Sequence, residues 1–133
     1  MKPLFLLVLL FLFCNLKAQT WIEFNDDSLT VSYYNLETIT YESAKTYGTS
    51  YLTISIKTVY KTPLKVPSGM QITYGILDYR FICNNAGVLV YDLMDEYRFY
   101  TDKSYQRFRP NYPERYYFTS DSKLNIVYKK FCL

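Results

Sequence analysis

Apolar and polar residues alternate with a period of two through most of this chain, the mark of half-buried β-strands. The clearest case is residues 51–61, where Leu52, Ile54 and Ile56 alternate with Thr53, Ser55 and Lys57. Strict alternation of this kind predicts an antiparallel sheet with one wet side. Upstream, residues 21–24 and 29–34 flank the polar stretch Asn25-Asp26-Asp27-Ser28 and predict a hairpin. Residues 39–41 are a weaker strand candidate, and residues 44–48 turn the chain into the 51–61 strand. Residues 63–69 hold two prolines and a glycine and read as a loop between strands, too short to separate domains. A further strand is expected over 71–83, followed by the tight connection Asn84-Asn85-Ala86-Gly87 and then residues 88–100. That last segment is long for one strand, so a bulge is expected near Asp95. Residues 101–104 then turn into a strand over 105–109, and Pro110 and Pro113 are expected to end the sheet.

The period changes over the final twelve residues. Leu124, Val127, Tyr128 and Phe131 fall at i, i+3, i+4 and i+7 and predict an amphipathic helix. Ser120 or Asp121 is placed to cap it, and Lys129 and Lys130 suit the negative end of its dipole.

The N-terminus follows neither pattern. Lys2 precedes an unbroken apolar run of ten, residues 4–13, which is short of the roughly 20 residues that span a bilayer. With polar residues after it and Ala18 before Gln19, residues 1–18 read as a signal peptide that is removed, leaving 19–133 as a single exported domain. A buried N-terminal strand or helix is the bland alternative. Phe13 stands before Cys14 where a lipobox wants a small residue, so soluble export is favoured over a lipid anchor at Cys14.

Removal of that segment changes the picture twice. The formal charge of +3, from 15 basic and 12 acidic residues, falls to +1 when Lys2 and Lys17 leave. That is too little for a nucleic-acid binder. Of three cysteines, Cys83 and Cys132 remain, and two cysteines in an exported domain read as one disulfide. Two free buried thiols are the alternative, and no Cys-x-x-Cys spacing points to redox catalysis. A Cys83–Cys132 bond would hold the helix against the sheet face carrying Leu77, Tyr79 and Phe81, with Leu124, Val127 and Phe131 packed above them. The expected fold is therefore α+β, a curved antiparallel sheet with one C-terminal helix tethered by a disulfide.

The chain has no histidine, which removes imidazole bases, Ser-His-Asp and Cys-His nucleophiles, and His-ligated metals. Asp92, Asp95 and Glu96 are the only tight acidic group. Simple alternation puts Asp92 and Glu96 on one face and Asp95 on the other unless a bulge intervenes, and a solvated strand end explains them better than glycosidic acid/base work. Asp26-Asp27 reads as a turn, since calcium-loop spacing is absent. No cofactor is called for.

Trp21, the Tyr33-Tyr34-Asn35 element followed by Ile39, the strand ending Tyr79-Arg80-Phe81-Ile82-Cys83, the 97–103 hairpin and the closing Lys130-Phe131-Cys132 form a spaced pattern of aromatics and cysteines. In this pattern, over essentially all of 19–133, the chain resembles the bacterial surface-adhesin protein E family. The resemblance implies a sheet of six antiparallel strands with the C-terminal helix bridged through Cys83 and Cys132. It also implies the option of a homodimer and, in the family's pathogen members, binding to host matrix proteins. The family's acidic residue before the first cysteine is replaced here by Ile82, and no matrix-binding residue carries over.

The densest candidate surface is residues 97–117, where Arg98, Lys103, Arg107, Arg109 and Arg115 interleave with tyrosines. If 101–104 is a four-residue loop, Tyr100 faces Tyr105 and Arg98 faces Arg107. Those four then share one face, with Tyr97, Phe99 and Phe108 on the other. Tyr and Arg are favoured at protein interfaces, although they also suit any wet strand face. Arg98, Tyr100, Tyr105, Arg107 and Arg109 are therefore the candidate partner-binding residues. The expected function is an exported, non-enzymatic binding module for a protein or cell-surface ligand, with no nucleic acid and no stable membrane span after cleavage. An envelope assembly component, or an inhibitor inserting residues 63–69 into a hydrolase cleft, is the alternative.

Overall fold

The computed structural model describes residues 20–43, 48–84 and 86–133. The expected export segment, with Lys2, Cys14 and Ala18, lies outside the described residues, as do residues 44–47 of the expected turn and Asn85. Eight strands pair into one antiparallel sheet: β1 (Trp21–Asp26), β2 (Thr30–Asn35), β3 (Thr40–Ser43), β4 (Thr49–Lys65), β5 (Gln71–Asn84), β6 (Val90–Tyr100), β7 (Tyr105–Phe108) and β8 (Glu114–Tyr117). Among the described residues the one α-helix is α1 (Leu124–Cys132).

The three long strands β4, β5 and β6 lie side by side, and each outer flank of this trio is filled by two short strands laid end to end. β2 and β3 pair with opposite halves of β4, and β7 and β8 do the same along β6. With β1 outside β2, the sheet has about six rows, as expected. The β1–β2 hairpin closes on Asp27, whose carboxylate accepts the N–H groups of Leu29 at 2.9 Å and Thr30 at 2.8 Å. These bonds hold the Asp27 carboxyl below the usual carboxylate range.

Alternation settles which face is dry. Leu52 and Ile54 are fully buried and Ile56 nearly so, and Phe81 and Cys83 on β5 share their side. α1 lies on that side, bonded through Cys83–Cys132, with Val127 fully buried beneath it. Each such aliphatic or aromatic side chain contributes about 1.5–3 kcal/mol on burial. Phe81 is the hub of an aromatic cluster, 5.8 Å from Phe118 and 6.3 Å from Tyr128 between ring centroids. Leu77 departs from expectation. It lies beyond the helix N-terminus and lines a cleft instead of the core.

Three further expectations need correction. Residues 63–69 are not all loop: β4 runs on to Lys65, with Pro63 in a bulge where four β4 residues oppose Thr73 alone. A proline is tolerated there because the bulge needs no ladder N–H. The turn proper is residues 66–70, closed by Val66 N–H to Met70 O at 3.0 Å and Gly69 at φ 84°. Pro110 and Pro113 interrupt the sheet without ending it, since β8 resumes pairing with β6. Finally, the Ser120 and Asp121 side chains do not cap α1. Asp121 accepts the Thr119 hydroxyl, and Ser122 Oγ takes the Leu124 N–H at 3.3 Å. Tight turns over 119–125 bring Ser122 nearer than either expected cap.

Candidate binding surface

The β6–β7 hairpin is one residue out of the expected register. Tyr100 N–H donates to Ser104 O at 2.9 Å and Lys103 N–H to Tyr100 O at 3.1 Å, while Lys103 takes a left-handed φ of 66°. This is a three-residue loop, a turn followed by a left-handed residue, in place of the four-residue loop. A slip of one exchanges the faces. Arg98 therefore opposes Gln106, Tyr97 opposes Arg107, Phe99 opposes Tyr105 and Glu96 opposes Phe108.

The five candidate residues are divided as a result. Arg98 and Tyr100 lie on the side of the sheet that carries α1. Tyr100 is buried and donates its hydroxyl to Gln106 at 2.7 Å. Arg98 Nε donates to Glu96 at 2.6 Å, and its guanidinium sits 4.3 Å over the Phe108 ring. Tyr105, Arg107 and Arg109 belong to the opposite face, which α1 leaves open.

That open face is ordered by the predicted bulge. β5 pairs Asp78 with Asp95 but Tyr79 with Leu93, so Met94 is the extra residue on β6. One extra residue restores Asp95 to the same face as Asp92 and leaves Glu96 on the other. Each of the two aspartates then holds a pair of arginines. Arg80 donates to Asp92 at 2.7 Å and Arg115 Nε at 2.8 Å, with the Asp92 side chain only 3% exposed. Arg107 makes a forked pair with Asp95 at 2.9 and 3.1 Å, and Arg109 approaches the same carboxylate at 3.5 Å. Burial by itself would raise the Asp92 carboxyl, but hydrogen bonds from Arg115 and Arg80 outweigh it and hold it below the usual range. The Arg107 hydrogen bonds do the same for Asp95.

Aromatic rings continue the surface toward β1. Tyr74 and Phe99 stack at 4.3 Å, and Phe99 and Tyr105 at 5.6 Å. Lys57 lies 4.8 Å over Tyr74 and 5.8 Å from Trp21. Each arginine pair shares one carboxylate and keeps guanidinium donors to spare; the Asp92 cluster carries one net positive charge, while Asp78, directly opposite Asp95, offsets the excess at the other. Beside them stands a row of rings able to bury large areas at low entropic cost. Such a surface can hold carboxylate-bearing, partly apolar partners. Among the described residues no group of three or more acidic or cysteine side chains is placed to hold a metal ion.

Arg80, Asp92, Asp95, Lys57 and Tyr74 were missing from the sequence-based site. Parity could have supplied some of them. Once Cys83 marks the dry face, Arg80, Asp78 and Tyr74 must point the other way. Asp95 needed the exact position of the bulge, which no periodicity gives. No family model, curated protein or solved structure matches the chain.

Proposed function

We propose that the chain is an exported, non-enzymatic binding module that captures a protein or cell-surface ligand on the open face of its sheet. The carrying observation is the pair of Arg–Asp–Arg clusters beside the Trp21–Tyr74–Phe99–Tyr105 row, on a face that α1 leaves bare. Arg, Tyr and Trp are the side chains that most often anchor protein interfaces. The pattern-level resemblance to surface-adhesin protein E domains supports the same reading, as does the apolar N-terminal run for export. Among the described residues no helix is long and apolar enough to cross a membrane.

The test is a pull-down from the native envelope and secreted milieu with the protein and its Arg107→Ala/Arg115→Ala variant. Both positions retain large exposure, so the variant should fold, and capture of the principal partner should fall at least tenfold. Undiminished capture by the variant overturns the site. Absence of any partner, together with self-association in sedimentation, favours the envelope assembly component instead.

A further inference from the structure

A second recess lies on the side of the sheet that carries α1, where the helix begins too late to cover the sheet. Its volume is about 430 Å³, within the range of roughly 300–1,000 Å³ typical of small-ligand sites. Three features of the sequence create it. The β4 bulge between Val59 and Leu64 lifts Leu64 and Val66 into a wall. Gly75 leaves the floor without a side chain, opposite Thr58 and Arg98. Lys123, immediately before α1, closes the third side.

The lining has a polar end and an apolar end. Lys123 Nζ donates to Ser32 Oγ at 3.0 Å and Thr30 Oγ1 at 3.4 Å, two neutral acceptors for an ammonium with three N–H donors. Burial pulls the Lys123 ammonium below its usual value, and distant Asp27 offsets this only in part. Arg98 points into the same recess, with Glu96 taking its Nε–H and its other donors left over. Lys123 and Arg98 against Glu96 alone leave the lining one positive charge in excess. At the other end Leu64, 45% exposed, stands with half-buried Leu77 over the buried Ile72, and Tyr60 and Tyr79 line the remaining wall. A partly desolvated cation with a spare donor, next to bare aliphatic surface, is complementary to one chemical class.

We propose that this cleft binds a small amphipathic anion of the fatty-carboxylate class, its carboxylate on Lys123 and Arg98 and its alkyl chain along Leu64, Ile72 and Leu77. The site lies on the opposite side of the sheet from the binding surface described above and stands or falls independently of it.

Octanoate is the probe, followed by methyl NMR shifts of Ile72 and Leu77 and by calorimetry on the purified protein, with octanol and acetate as controls. Octanoate should bind saturably, at least tenfold tighter than either control. Lys123→Met should weaken octanoate at least tenfold and leave octanol unchanged. Gly75→Val should abolish binding by filling the floor; its Cβ would meet Tyr97 O at 3.5 Å and Leu77 Cδ1 at 3.7 Å, both ordinary contacts. Unaltered urea midpoints confirm that both variants fold. No saturable shift at Ile72 and Leu77, equal binding of octanol or of acetate, or octanoate affinity indifferent to both substitutions overturns the proposal.

Discussion

Asp92 and Asp95 are the same residue in nearly the same motif, and their surroundings give them unequal weight. The Asp92 carboxylate is 3% exposed and its partners Arg80 and Arg115 are 28% and 53% exposed, whereas Asp95, at 9%, is served only by the exposed Arg107 and Arg109 at 45% and 69%. Exposed guanidiniums lose little when a partner is removed, because water takes its place. A buried charge-assisted hydrogen bond is worth more, and breaking one strands the partner. Arg80 is already short of acceptors, since its Nε is buried without a hydrogen-bond partner and its guanidinium rests 5.1 Å from the Tyr51 ring. Asp92→Asn is therefore expected to cost about 1–3 kcal/mol, and Asp95→Asn less than about 1 kcal/mol. Urea denaturation at neutral pH measures both, and equal losses would show that burial does not distinguish the two clusters.

At the scale of elements, α1 is short and depends on what it touches. Nine residues are too few for a stable isolated helix in water, and the residue before α1, Lys123, offers no side-chain cap. Its contribution comes from Leu124, Val127 and Tyr128 against the sheet and from the Cys83–Cys132 bond. That bond closes a loop with a sequence separation of 49, which the chain-entropy model values at about 4 kcal/mol. Cys83→Ser/Cys132→Ser is expected to lose stability of that order, with α1 amides exchanging before those of β4 and β5. Mass spectrometry of the unreduced protein should also return the linked Cys83–Cys132 peptide. Free thiols, or α1 amides as protected as those of β4 in the variant, would refute the tether. Much of this element was legible in the sequence, because a change from period two to period 3.6 is a long-range pattern that single residues do not disturb. The β6–β7 hairpin was not legible to the same degree. Its register depends on Lys103 occupying a left-handed conformation that glycine or asparagine would have advertised and lysine does not. That one conformation decided whether Arg98 and Arg107 share a face.

Across the whole molecule the absence of histidine, first read as removing imidazole chemistry, also shapes the response to pH. No side chain has its ordinary pKa between pH 5 and 8, so folding stability is expected to be nearly flat there. Below that range the carboxylates act together. Asp27, Asp92, Asp95, Asp102 and Asp121 are all held below their ordinary value of 3.8, by backbone N–H groups, arginines or neighbouring hydroxyls. A group whose folded pKa lies below its unfolded one binds protons more readily when unfolded. Its stabilisation is complete above the unfolded value and is lost as pH falls through the folded one. The five contributions therefore share one sign and one window. They link the β1–β2 turn, both arginine clusters, the β6–β7 turn and the approach to α1, so protonation loosens both faces of the sheet at once. The urea midpoint is expected to hold level from pH 8 to 5 and to fall steeply below about pH 4. Asp92→Asn should flatten part of that acid limb, because the variant has already lost one of the five groups. A midpoint that held or rose on acidification would mean that these carboxylates gain nothing from folding, and the charge-paired open face would lose its physical basis.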